Sequence, residues 1–184
     1  MQDEQIDIVS KTGEATGKSV AKSIIHQKGY YHNTAHIWFY TPKGEILLAQ
    51  RAASKVICPL LWDVSVAGHV DAGETIEQAA IREIQEEIGL SISKKGLQKI
   101  GVFKCFQTYE NGIIDNEFHH TFLAGLNVNI SALKFQKEEV EGLKLVHITE
   151  FNELLKHSKS NNHFVASNKA YYTKIIAEIL KRIP

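Results

Sequence analysis

One stretch, residues 75–90, constrains what this chain can fold into more than any other. Thr75 with Gln78 three positions later has the form of a capping box, and Gly89 stands where a left-handed C-terminal cap is wanted. Between them Ile76, Ala80, Ile84 and Ile88 recur every fourth residue, an apolar stripe that must be buried against a sheet. The spacing therefore predicts a helix over 75–88. Its second face is acidic: Glu83, Glu86 and Glu87 at i, i+3 and i+4 project together, opposite or oblique to the stripe. Carboxylates so placed repel by roughly a few tenths of a kcal/mol per pair, and the later two lie toward the negative end of the helix dipole. Such a triplet suits an ordinary solvated face. It becomes an asset where a hard cation, Mg²⁺ or Mn²⁺, sits among the oxygens.

The rest of the chain supplies the sheet. A short strand is expected at 6–9, turned by Thr12 and Gly13, then a short helical or irregular excursion at 19–26. Residues 34–40 and 46–50 read as strands paired through the Pro42, Lys43, Gly44 turn, and 62–67 as a strand leading to Gly68. Strands at 97–108, 117–126 and 143–147 follow the helix, and helices at 150–157 and 169–182 close the chain. This order indicates an α/β sandwich with a mixed β-sheet between helices. No repeat, low-complexity tract or Pro- and Gly-rich linker interrupts the 184 residues, so a single domain over 1–184 is expected.

Charge narrows the partners. Lys plus Arg and Asp plus Glu number 21 each, which leaves no field to attract nucleic acid or an anionic membrane. An anionic substrate must then be held by local charges or a metal. No apolar run approaches the ~20 residues that span a bilayer, and the opening MQDEQIDIVS lacks the basic and apolar regions of a secretory signal. Cys58 and Cys105 match no metal or redox spacing. No nucleic acid, no membrane and a cytoplasmic location are the expectations.

Read in order, Gly68, five residues, Glu74, seven residues, then Arg82, Glu83, Ile84, Gln85, Glu86, Glu87, Ile88, Gly89, Leu90 resembles the Nudix box at all nine of its defined positions. The resemblance implies a Nudix-type α/β/α sandwich and a Mg²⁺- or Mn²⁺-dependent hydrolase that cleaves a diphosphate linkage. Its substrate would be a small molecule, a nucleoside-diphosphate derivative or a related organic diphosphate. Glu83 and Glu87 would be the main metal ligands, and Glu86 would contribute to the metal cluster or to water activation. Arg82 would orient the glutamates with Glu74 as its ion-pair partner. Gly68 would allow close backbone approach, and the carbonyl of Ala67 would complete the metal sphere. A general base is also needed, and Glu117, Glu138 and Glu139 are candidates that fit ordinary surface carboxylates equally well.

The likeness extends beyond the box. Residues 7–17, 26–32, Gln50 with Arg51 and Lys55, and 62–73 look like the branch related to isopentenyl-diphosphate isomerase. There Arg51 and Lys55 resemble a basic pair that contacts substrate phosphates, though a surface pair reads as well. The isomerase uses a cysteine just before the box glycine, with histidine and glutamate metal ligands along the chain. Here that segment, Trp62 to Ala67, holds none, and Cys58 lies outside it. Isomerisation is therefore an alternative that lacks its thiol. A catalytically silent ligand-binding module is another, which the intact glutamates argue against. The branch also implies a homodimer as one state of assembly. His26, His32, His36, His69, His119 and His120 form no compact metal signature, so each reads as a structural residue or a substrate contact. His69 carries most weight as a substrate contact because it follows Gly68. Trp38, Phe39, Tyr40, Phe118 and Phe122 read as core rather than as a stacking platform.

Overall fold

A computed structural model of the protein describes residues 4–158, 160 and 169–184. The chain opens with an antiparallel hairpin, β1 (Gln5–Val9) and β2 (Ala15–Ala21), followed by α1 (Lys22–Lys28). The excursion expected at 19–26 is thus the end of a strand and the start of a helix. The sequence ATGKSVA is mostly exposed and has no apolar alternation, so pairing with β1 rather than its own pattern makes it a strand.

The main sheet is built on β3 (Tyr31–Tyr40). It runs parallel to β8 (Ile114–Gly125) along its whole length, and antiparallel to β6 (Val66–His69) over Thr34 to Ile37. β8 pairs in turn with β7 (Gln98–Thr108). On the other side β4 (Glu45–Arg51) pairs with β9 (Val140–His147) and with the short β5 (Trp62–Asp63). The hairpin expected between 34–40 and 46–50 closes only at Tyr40 and Ile46. Ser65 explains the splay: its buried hydroxyl accepts from the Phe39 amide at 2.9 Å and donates to the Leu47 carbonyl at 2.5 Å, bridging β3 and β4. That residue also splits the strand expected at 62–67 into β5 and β6.

Strand periodicity sorts β3 into two faces. Ala35, Ile37 and Phe39 point to α2 (Ile76–Ile88) and pack with Phe122, Ala79, Ala80, Ile84 and Ile88. The fully buried Ile84 and Ile88 contribute about 1.5–3 kcal/mol each. On the opposite face Trp38, Leu48, Leu123 and Val146 meet α3 (Ile148–Lys156) and α4 (Lys169–Leu180). Helices on both faces of a mixed sheet make the α/β/α sandwich the sequence implied. The α2 ends are those read from sequence. Thr75 and Gln78 form a reciprocal capping box, and Gly89 has φ +67° where a Cβ would lie 2.8 Å from the Lys134 carbonyl oxygen.

Toward one end the second face changes character. In line with Trp38 on β3 stand His36, Thr34 and His32, and beside them on β8 stand Thr121, His119, Glu117 and Asp115. β6 adds Ala67 and His69, and β7 adds Cys105. An apolar core thus grades into a polar floor within one sheet face.

Candidate active site

The floor opens into a cleft of about 470 Å³ that also receives Glu83, Glu86 and Glu87 from α2. The three glutamates are not equivalent. Glu86 has half its side chain in solvent, while Glu83 is largely covered and Glu87 is buried. Glu87 accepts a hydrogen bond from the Ala67 amide at 3.3 Å. Burial, then the charges of Glu83 and Glu139, push its pKa well above the usual carboxylate value. Burial raises Glu83 as well, against the pull of Arg82. Gly68 makes their position sterically feasible: a Cβ there would fall 1.9 Å from Glu83 Cδ. A buried and a largely covered carboxylate, both with pKa values raised by burial and with space beside them, suit a hard divalent cation that offsets the cost of their charge.

Arg82 binds the cluster together. Its Nε and Nη2 donate to Glu74 at 3.1 and 2.9 Å, and its Nη1 donates to Glu83 at 2.7 Å and Glu86 at 3.1 Å. Nη2 also donates to the His69 carbonyl at 3.0 Å, which ties α2 to β6. Burial would lower the guanidinium pKa, but the hydrogen bonds and charges of Glu74 and Glu83 raise it further. The ion pair expected with Glu74 is therefore present as a bidentate fork.

The basic pair is less free than the sequence suggests. Arg51 donates to the Ile57 carbonyl at 2.9 Å and lies 3.3 Å from Asp63, while Lys55 is ion-paired with Glu139. All four line the cleft. Of the candidate bases, Glu138 is exposed and outside the lining, Glu139 stands near Glu87, and Glu117 lies inside β8 rather than at the start of a strand.

The histidines correct the sequence reading. His26, His32 and His69 bring ring nitrogens within 4.8 Å of one another, and so do His36 and His119 with a Glu117 oxygen. His26 Nε2 and His69 Nε2 are 3.1 Å apart, and Asp115 Oδ1 lies 2.7 Å from His26 Nδ1. Glu117 reaches both groups: Oε1 is 3.4 Å from His32 and 4.0 Å from His69, and Oε2 is 2.8 Å from His119. Among the described residues, His26 Nδ1 with Asp115 Oδ1 at 2.7 Å and His32 Nε2 with Glu117 Oε1 at 3.4 Å are buried ion-pair contacts without hydrogen-bond alignment, and Thr34 Oγ1 is buried without a hydrogen-bond partner. All belong to this floor, and a buried hydroxyl of this kind is costly unless something binds it. Nitrogen-rich ligands with a carboxylate suit a transition-type divalent ion such as Zn²⁺, Co²⁺ or Mn²⁺. Burial pushes Glu117 up, but the hydrogen bonds and charges of His119 and His32 hold it well below the usual carboxylate range. Burial keeps His69 and His36 neutral, with pKa values well below the ordinary histidine value.

The ligands lie far apart in sequence, so no compact spacing marks them. The available signal was parity: His32 with His36, and Asp115 with Glu117 and His119, are separated by even numbers within strands and so share a face. His120 has the other parity, faces away, and is not in the cluster.

A mixed-sheet sandwich with a buried glutamate helix of this kind defines the Nudix class. The NUDIX domain model matches residues 30–167. Nudix hydrolase 3 of Arabidopsis thaliana is 36% identical over 160 residues, covering 84% of this chain, which spans about one fifth (21%) of the plant protein. Isopentenyl-diphosphate Delta-isomerase 2 of Photorhabdus laumondii is 32% identical over 174 residues, 95% of this chain and 91% of that protein. The crystal structure of DR0079 from Deinococcus radiodurans superposes with a TM-score of 0.68 at 18% identity, covering 97% of this chain and 98% of that one, which shows the shared fold. The chain belongs to the Nudix family, as a hydrolase of that family. Among the described residues no helix is long and apolar enough to cross a membrane.

Proposed function

We propose that the protein hydrolyses the diphosphate linkage of a nucleoside-diphosphate derivative or a related organic diphosphate, with Mg²⁺ or Mn²⁺ held by Glu83, Glu87 and Glu86 and completed by the Ala67 carbonyl. The observation that carries the reading is the buried Glu87 and the close-packed Glu83 against Ala67 and Gly68, with Arg82 clamping the set. When bound, such an ion neutralises phosphoryl oxygens and makes a water more acidic. The chain's own groups do the rest. Arg51 and Lys55 exchange their carboxylate partners for substrate phosphates, whereas His69, expected as a substrate contact, belongs to the histidine floor with its Nε2 3.1 Å from His26 Nε2. Glu139 is the base: displaced from Lys55, it stands free beside Glu87. Glu117 is unsuited to that role because histidines engage both its oxygens.

A second reading is isomerisation of an allylic diphosphate. The gathering of His26, His32, His69, Asp115 and Glu117, together with the isomerase relative, supports it. The absence of a cysteine from Trp62 to Ala67 stands against it. One experiment separates them: wild type, Glu87→Gln and Glu139→Gln are assayed with Mg²⁺ on a panel of diphosphates for phosphate products and for isomers. Phosphate release reduced about 10³-fold or more by Glu87→Gln and about 10²-fold by Glu139→Gln is the expected result. Isomer formation without phosphate release would replace this reading with the second. No turnover by metal-loaded protein would leave a binding module.

A further inference from the structure

We propose that Glu117 is a bridging carboxylate, and that its Oε2 completes a second nitrogen-rich cation site with His36 and His119, beside the site that His26, His32 and His69 form around its Oε1. Each group places its donor atoms within 4.8 Å of one another, and Glu117, a member of the second, reaches the first through Oε1, 3.4 Å from His32 Nε2 and 4.0 Å from His69 Nε2. An ion held at ~2.1 Å by two neighbouring ligands keeps those ligands roughly 3 Å apart. His119 Nε2 and Glu117 Oε2 are separated by 2.8 Å, and His26 Nε2 and His69 Nε2 by 3.1 Å, so both contacts have the length of a ligand edge.

The hydrogen-bond network fixes the tautomer of His36. Trp38 Nε1 can only donate, and does so to the Tyr171 hydroxyl at 2.8 Å. Thr121 Oγ1 donates to the His119 carbonyl at 3.2 Å and so accepts from Tyr171 at 3.4 Å. Tyr171 has then used its proton, and its 3.2 Å contact with His36 Nδ1 requires that nitrogen to carry the hydrogen. Nε2 of His36 is left with a lone pair. His32 follows the same rule: its Nδ1 donates to the Tyr30 carbonyl at 3.0 Å, and its buried Nε2 faces Glu117 Oε1 at 3.4 Å. A ring tied through Nδ1 to an outer oxygen and presenting Nε2 inward is the arrangement of a ligating histidine. Thr34, between His32 and His36 on β3, adds a hydroxyl oxygen that is buried and without a partner among the described residues. His36 and His119 stack with centroids 3.8 Å apart and planes 19° from parallel, so capture of an ion opens the stack by rotation about χ2, a broad torsion in histidine.

The test is a metal count, independent of phosphate release. The full chain, stripped with chelator, is dialysed against Co²⁺ in excess Mg²⁺, which occupies the all-oxygen glutamate site, and bound cobalt is measured by elemental analysis. Two equivalents in the wild type, one in His36→Gln and in His119→Gln, one in His32→Gln, and less than one in Glu117→Gln are expected. Tyr171→Phe removes the acceptor that fixes His36 and should weaken the second equivalent about 10- to 100-fold, leaving the first unchanged. A wild type that binds a single equivalent, or two equivalents retained by both His36→Gln and His119→Gln, would overturn the proposal. Where one of these variants fails to fold by circular dichroism, the other single variant and the wild-type count still decide.

Discussion

The glutamate helix and the histidine floor face the same cleft, yet they are built in opposite ways. The helix draws its oxygens from little more than one turn of α2, and Arg82 gathers Glu83 and Glu86. The floor draws its ligands from α1, β3, β6 and β8, and its charge is met within the floor: burial lowers the His119 pKa, but hydrogen bonds to Cys105 and Glu117 raise it to about 10. The helix is hard, half-open and suited to an exchangeable hydrated ion. The floor is nitrogen-rich, buried and suited to an ion that stays. Under the proposed readings, the exchangeable site serves the phosphate chemistry and the floor holds a lasting cation.

Gly68→Ala tests whether the two regions are separable, and has the largest expected effect. The new methyl would meet Glu83 at 1.9 Å, so the carboxylate must leave its place. Overpacking costs about 1–3 kcal/mol of stability, and a displacement of an ångström in the reacting constellation costs about 10²-fold in rate. Phosphate release should fall at least that far while the cobalt count on the floor stays at its wild-type value. Loss of both would show that β6 couples them. Arg82→Lys comes next. A lysine keeps the charge but cannot make the fork to Glu74 while reaching Glu83, Glu86 and the His69 carbonyl. A loss of about 10- to 100-fold in Mg²⁺ affinity or rate is expected from titrating activity with Mg²⁺. An unchanged titration would mean that the glutamates hold their geometry without the clamp.

The same contrast explains what could be read from the sequence. α2, its caps and its glutamates are local features, fixed by spacing within 3.6-residue turns, and residues 68–90 announced their arrangement directly. The floor depends on register. His32 lies beside Glu117 only because β3 runs parallel to β8 across more than 80 intervening residues, and His69 joins them only because β6 pairs with β3 at Thr34. The missed hairpin geometry had the same cause, since Ser65 acts on Phe39 and Leu47 from a different segment. β2 was missed because its strand character comes from β1 and not from its own side chains. The charge pairing of Arg51 with Asp63 and of Lys55 with Glu139 was likewise a product of tertiary placement.

His120 offers the smallest effect and the cleanest control. It adjoins His119 in sequence but points to the other side of β8, where its Nε2 meets Asn33 Oδ1 at 3.0 Å and its Nδ1 lies 3.1 Å from Lys99 Nζ. Burial, and then the Lys99 charge, push its pKa down to about 4 from an ordinary 6.5. A histidine lowered on folding favours the neutral form in the native state. It contributes stability that is present above about pH 6.5 and is lost as the pH falls through about 4, because in that window the unfolded chain binds a proton that the folded chain refuses. His120→Gln keeps a hydrogen-bonding side chain for Asn33 and removes the titration. In chelator, the shift of the urea midpoint between pH 7 and pH 5 should be smaller for the variant than for the wild type, and the cobalt count should be unaltered. If His120→Gln instead lost a cobalt equivalent, parity would not separate ligands from bystanders on this strand. The division of β8 into a metal-facing side and a packing side would then fail.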